Sequence, residues 1–251
     1  MAPISVQLYS LRTESERDFN GVLQALAATG YQGVEPFNLY GFSPRQFRER
    51  VEALGMRISS SHYPFANRVP VQQTVDTLGE LGLTRAVGGY APADFADLDT
   101  VRRVAEATNR LVDDLAAANI TLALHNHWWE FAEFEGTCAY HLFQDLVPGV
   151  AFELDTYWAA NFGAREPAAE LARIRSRTPL LHLKDGPLTK GEPMVALGDG
   201  RQDIAAILAA ADPDVLEWAI VELDACATDM LTAIQDSYTY LIRNQLAGTN
   251  D

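Results

Sequence analysis

Eight short apolar runs, most of them closed by a polar or charged residue, recur along the chain with helical patterns between them. The runs are Ile4–Leu8, Gly33–Glu35, Arg57–His62, Arg85–Val87, Thr121–His125, Val150–Asp155, Leu180–Leu183 and Trp218–Glu222. Runs this short and apolar suit strands covered on both faces, as in a parallel sheet. Between them, Val101, Val104, Ala105, Thr108, Leu111, Val112 and Leu115 repeat at intervals of three and four, as do Leu231, Ile234, Tyr238, Leu241 and Ile242. That spacing predicts crossover helices. Shorter stretches of the same kind lie near Val22–Ala28, Phe47–Leu54, Val71–Leu81, Ala168–Ile174 and Ile204–Ala211. Pro44 and Pro167 stand where a first helical turn accepts proline, and Thr100 and Thr228 are the expected N-caps. The alternation predicts an α/β fold, one (β/α)8 TIM barrel spanning residues 1–251. A typical barrel of this kind has about 250 residues. An open doubly wound sheet is the alternative, and its dinucleotide-binding form would need a Gly-x-Gly-x-x-Gly after a strand.

Charge narrows the partners. The net charge of -15 repels phosphate backbones and anionic membrane surfaces. Nucleic acid and membrane are therefore not expected. The first residues lack the basic and apolar segments of a signal peptide, and no run approaches the ~20 apolar residues that span a bilayer. A cytoplasmic protein is the expectation, with homo-oligomerisation left open. Cys138 and Cys226 read as reduced thiols.

The strand exits carry the chemistry. Alternation sends His182 and Lys184 one way and Leu181 and Leu183 the other, toward covering helices. It likewise pairs Glu153 with Asp155 and His125 with His127. Carboxylates inside a barrel are costly unless a cation meets them. A divalent ion at Asp155 meets that need, while Glu153 is expected to pair with a basic neighbour deeper in the lumen. Glu222 ends the eighth run, and any of His125, His127 and Glu130 has the reach to join a cation held by the sixth to eighth runs. Carboxylates suit Mg²⁺ or Mn²⁺, and imidazoles suit Zn²⁺. Gln7, Glu35 and His62 are candidates to bind a polyhydroxy ligand at the rim, beside the aromatic group of Trp128, Trp129, Tyr157 and Trp158. Gly198-Asp199-Gly200 reads as a turn leading to an N-cap at Asp203.

Five motifs stand in order: His-Asn-His-x-x-Glu-Phe from His125 to Phe131, Glu-Leu-Asp-x-Tyr-Trp from Glu153 to Trp158, Leu-His-x-Lys-Asp from Leu181 to Asp185, Gly-x-Gly-x-x-Asp from Gly198 to Asp203, and Val221-Glu222. Together they resemble the sugar phosphate isomerase/epimerase superfamily, the xylose isomerase-like TIM barrels. The resemblance implies a divalent metal, Mn²⁺, Mg²⁺ or Zn²⁺, on Asp155, His182 and Glu222, with Glu130 as fourth ligand and His125 as its rival. It implies an isomerase or epimerase acting on a sugar or cyclitol by proton abstraction beside a metal-polarised carbonyl, through an enediolate. Glu130, Glu222 or His125 would move the proton, and Glu35, His62, His127, Trp158 and Lys184 would bind substrate. A lyase or dehydratase of a keto-sugar or inosose would start from the same carbanion. A metal-dependent abasic-site nuclease conflicts with the charge, and a non-catalytic sugar-binding barrel is a further rival.

Overall fold

Side chains of a strand point alternately to its two faces, and here the two sets fall into two separate apolar clusters. Ile4, Val6, Val34, Leu122, Leu124, Phe152, Leu154, Leu181, Leu183, Ala219 and Val221 join the main core against the helices. Val87, Ala123, Leu180, Trp218 and Ile220 form a second, smaller core on the other face. A computed structural model describes residues 1–248 and shows how these faces arise. The strands are β1 (Ile4–Gln7), β2 (Gly33–Glu35), β3 (Arg57–Ile58), β4 (Arg85–Gly89), β5 (Thr121–His125), β6 (Ala151–Asp155), β7 (Leu180–Leu183) and β8 (Trp218–Val221). All their pairings are parallel, in the order β3-β2-β1-β8-β7-β6-β5-β4. That is the strand order of a (β/α)8 barrel with one seam, between β3 and β4.

The lumen is plugged from below and polar above. Trp218 fills the lower end, where any side chain at Gly33 would come within 2.7 Å of its ring. Above this apolar plug, Ser5 bonds Ser59 at 2.7 Å and Gln7 donates to Glu35 at 2.7 Å. At the seam β3 is shorter than its apolar run, and the chain leaves the ladder after Ile58. The Asn67 amide replaces the missing neighbour: Nδ2 donates to the Gly89 carbonyl at 2.9 Å and Oδ1 accepts from the Gly89 N–H at 3.2 Å. An exposed strand edge is thereby satisfied by a side chain. Asn126 does the same at the end of β5, exchanging hydrogen bonds with the Asp155 backbone at 3.0 and 3.2 Å.

The helices are α1 (Arg12–Thr29), α2 (Pro44–Glu52), α3 (Val71–Leu81), α4 (Leu98–Ala116), α5 (Ala139–Leu146), α6 (Pro167–Ile174), α7 (Ile204–Ala210) and α8 (Met230–Arg243), with a short helical turn at Thr156–Ala159 after β6. Two expected caps are corrected. Asp97 rather than Thr100 caps α4, accepting the Thr100 N–H at 2.7 Å, and Asp229 rather than Thr228 caps α8, accepting the Thr232 N–H at 2.8 Å. A carboxylate accepts such a bond with a full charge against the helix dipole. Pro44 follows a Ser43 capping box, and Pro167 opens α6. After β5 a small hairpin pairs Glu133–Phe134 with Thr137–Cys138.

The long loop after β7 is organised by one carboxylate. Asp185 accepts backbone N–H groups from Gly186, Gly198, Gly200 and Gln202 at 2.8–3.1 Å. Asp203 then caps α7 through the Ala206 N–H. Both cysteines are free, and no helix among the described residues is long and apolar enough to cross a membrane.

Candidate functional site

The C-terminal strand ends converge on a layer of buried charge. On β7, His182 places Nδ1 2.7 Å from Glu222 Oε2 and Nε2 2.8 Å from Glu35 Oε2. Burial opposes its charge, yet Glu153, Glu35 and Glu222 hold its pKa well above the ordinary histidine range. One step round the barrel, Glu153 Oε2 meets three imidazoles: His62 Nε2 at 2.5 Å, His125 Nδ1 at 3.2 Å and His182 Nε2 at 3.5 Å. Burial again works against this charge, but His62 and His182 keep the Glu153 carboxyl well below the usual range. His125 differs from the other two. Burial holds it well below the ordinary histidine range, so its imidazole is neutral.

Lys184 supplies the other positive charge. Its ammonium donates to Asp224 Oδ2 at 2.7 Å and lies 2.9 Å from both Asp155 Oδ2 and Glu222 Oε2. Above this layer opens a pocket of about 450 Å³, lined by Tyr9, Phe37, Phe65, His62, His125, His127, Lys184, Glu222 and Asp224. One wall is aromatic and the floor is charged.

Four of these side chains fit a divalent cation. Ligand atoms of His125, Asp155, His182 and Glu222 all lie within 4.8 Å of one another, and all four residues are buried. Two nitrogens and two carboxylate oxygens suit Mn²⁺ or Zn²⁺ better than Mg²⁺. Asp155 Oδ2 has no hydrogen-bond partner; it lies 2.9 Å from the Lys184 ammonium and 3.9 Å from His125 Nε2. His182 must give up its proton to ligate, as metal-binding imidazoles do. A second group, His62, His125, Glu153 and His182, has its ligand atoms equally close, with three imidazoles around one carboxylate.

Residues 23–241 match the family model described as xylose isomerase-like TIM barrel. The chain belongs to that family. Among solved structures, a sugar phosphate isomerase/epimerase from Parabacteroides distasonis is similar over 98% of this chain and 95% of its own, at 25% identity and a TM-score of 0.83. An L-ribulose 3-epimerase shares 16% identity and a TM-score of 0.68, covering 97% of this chain and 94% of its own. A D-allulose 3-epimerase from Methylomonas sp. has the same identity and TM-score, covering 96% of this chain and 97% of its own. No curated protein matches the sequence.

Within this xylose isomerase-like barrel, Asp155, His182 and Glu222 come together as the strand pattern implies. Glu130 does not join them. It lies on the helical turn Trp129–Phe131, and its Oε2 accepts the His127 backbone N–H at 2.9 Å. His125 takes the place beside the other three. Glu35, expected at the rim, is fully buried against His182 and Gln7. Trp158 does not line the pocket; its ring lies 5.4 Å from the Lys184 ammonium. The aromatic wall comes instead from Tyr9, Phe37 and Phe65, on the loops after β1, β2 and β3. Asp224, two residues past Glu222, is a further member of the charged floor. Glu153 finds its basic partners in the same layer, not deeper, since His62 reaches across from the loop after β3.

Proposed function

We propose that this chain is a divalent-cation-dependent isomerase or epimerase of an unphosphorylated sugar or cyclitol that carries a carbonyl group. The observation that carries the reading is the meeting of His125, Asp155, His182 and Glu222, of which His125 and Glu222 also line the pocket. Those four residues would hold a divalent cation, which would supply Lewis acidity toward a substrate carbonyl. The chain's own groups do the rest. Glu222, a carboxylate at the end of β8, has a second oxygen free for proton transfer when one ligates, whereas both nitrogens of His125 are committed, Nε2 toward Asp155 and Nδ1 toward Glu153. Glu222 takes the proton from the carbon beside the carbonyl and returns it at the neighbouring carbon for isomerisation; His62, which also lines the pocket, would return it from another side for epimerisation. Lys184 and His62 donate hydrogen bonds to substrate oxygens. Tyr9, Phe37 and Phe65 receive the apolar C–H face of the ring and exclude water.

The lining argues for a substrate without phosphate. Among the described residues that line the pocket, Lys184 is the one lysine or arginine, and it faces three carboxylates. The nearby Arg12 stacks on Tyr9 and donates to the carbonyls of Tyr9 and Asp224. Two of the similar structures are named as epimerases of ribulose and allulose, which supports the same class.

Deuterium wash-in tests the reading. D-Fructose, an inosose and a 3-keto sugar, each incubated in D₂O with Mn²⁺, are expected to include at least one that gains deuterium beside the carbonyl. Chelation and Asp155→Ala should each lower that exchange by roughly a hundredfold or more. Undiminished exchange after both treatments would end the cation mechanism. Loss of water from the product would redirect the same carbanion to a lyase.

A further inference from the structure

Glu130 is 1% exposed on a loop where burying a carboxylate is costly without a partner. One of its oxygens is committed to the His127 backbone N–H. The other, Oε1, is buried without a hydrogen-bond partner, and so is His127 Nδ1. These two atoms face each other at 3.7 Å. Two unpaired polar atoms of complementary type, shut away from water, need only a small ring rotation to bond. Such contacts are often long before substrate binds.

The imidazole itself is well placed to use that support. It lies flat on Trp129, with ring centroids 4.1 Å apart and planes 13° from parallel. Its side chain is 29% exposed and lines the pocket, yet Nδ1 is buried. The exposed edge is therefore the one that carries Nε2. Neither Glu130 nor His127 belongs to either group of close ligand atoms on the floor.

We infer that Glu130 is a positioning residue that acts through His127: it holds Nδ1–H, fixes the ring's tautomer and presents Nε2 as an acceptor to a substrate hydroxyl at the pocket wall. The inference rests on the proposed sugar chemistry for its substrate and on the loop geometry for its parts. It separates the second half of the His-Asn-His-x-x-Glu motif from the cation. His125 belongs to the floor, and His127 with Glu130 forms a carboxylate–imidazole pair above it. Holding a histidine by one nitrogen so that the other works is a general device. Here the spacing of three residues, closed by the helical turn Trp129–Phe131, brings the carboxylate back beneath the ring.

The experiment uses full-length protein labelled with ¹⁵N at histidine, with His127→Gln to assign the ring signals. Wild type is expected to show His127 as a single tautomer protonated at Nδ1. Glu130→Ala is expected to show a mixture, and Glu130→Gln, whose single amide oxygen is taken by the His127 backbone N–H and whose NH2 then faces Nδ1, to shift the ring toward the tautomer protonated at Nε2. Mn²⁺ titrated calorimetrically should bind Glu130→Gln within about threefold of wild type, and Asp155→Ala more than roughly tenfold more weakly. On the sugar that exchanges deuterium, Glu130→Ala should lower kcat by roughly a hundredfold, and Glu130→Gln, which turns Nε2 from acceptor to donor, should lower it comparably. A Glu130→Gln protein that binds Mn²⁺ as poorly as Asp155→Ala would make Glu130 a metal ligand and overturn the inference. An unchanged His127 tautomer in Glu130→Ala would overturn it too, as would full kcat in that variant. If no sugar exchanges in wild type, the proposed function fails, while the tautomer and Mn²⁺ results still decide whether Glu130 serves His127 or a cation.

Discussion

At the residue scale Lys184 bears the most consequence. Its ammonium is 1% exposed and touches Asp155, Glu222 and Asp224. Burial alone would strip its proton, but those three carboxylates, Asp155 foremost, hold its pKa well above the ordinary lysine range. Removing one partner of a buried ionic group costs about 3–5 kcal/mol, because the charges left behind are uncompensated. Lys184→Met should therefore lower Tm by roughly 10 °C in a chain of this size. The orphaned carboxylates then resemble an open cation site. Mn²⁺ should raise the Tm of Lys184→Met by more than it raises that of wild type. A variant that melts like wild type, or that ignores Mn²⁺, would show that the ammonium does not balance this cluster. The same residue marks what the strand alternation could reveal. Lys184 two positions after His182 was readable as a lumen-facing pair because a strand repeats every two residues. Its three carboxylate partners were only half readable. Asp155 and Glu222 end neighbouring strands, whereas Asp224 lies in the loop beyond, where no period applies.

Elements respond to pH through their ends. The N-cap carboxyl of α4, Asp97, is held below its ordinary 3.8, first by the Thr100 backbone N–H and then by the Thr100 side chain. A carboxyl whose native pKa is lowered adds stability above its unfolded pKa and loses it as pH falls through the native value. Asp97→Asn keeps a capping oxygen but removes the charge. Wild type should thus have the higher urea midpoint at neutral pH, and the gap should close in acid, below pH 3.8. A gap that persists in strong acid would mean the charge is not its source. Cap identity also shows where a sequence reading stops. Thr100 and Asp97 both precede the apolar repeat of α4, and only the backbone turn decides which side chain meets the free N–H. The barrel order was legible because eight apolar runs with polar exits admit few topologies. The seam was not: Arg57–His62 reads as a full strand, but the chain leaves β2 after Ile58, and the gap is filled by Asn67, nine residues further on. Glu130 lies outside the close group of ligand atoms for a related reason. Its position in the motif fits a ligand, while its direction depends on the helical turn that follows β5.

On the scale of the whole molecule, charge decides what reaches the pocket. Thirty-four acidic residues against 19 basic ones leave -15, and clefts of one sign focus that field on an approaching ion. A phosphate ester meets repulsion on approach and then a wall of Tyr9, Phe37 and Phe65, with no unpaired lysine or arginine among the described residues that line the pocket. The two effects separate by salt. Long-range repulsion is screened once the Debye length falls from about 30 Å at 0.01 M to about 3 Å at 1 M salt. The cost of desolvating phosphate against aromatic rings is not. D-Fructose should therefore be preferred over D-fructose 6-phosphate by roughly tenfold or more in kcat/KM at low salt, if a ketohexose is the sugar that exchanges. Added salt should narrow the gap without abolishing it, since the aromatic wall remains. A gap that vanishes in salt would assign all discrimination to net charge and none to the pocket. Faster turnover of the phosphate ester at low salt would mean that Arg12 leaves Tyr9 to meet it, and the substrate would then be a sugar phosphate.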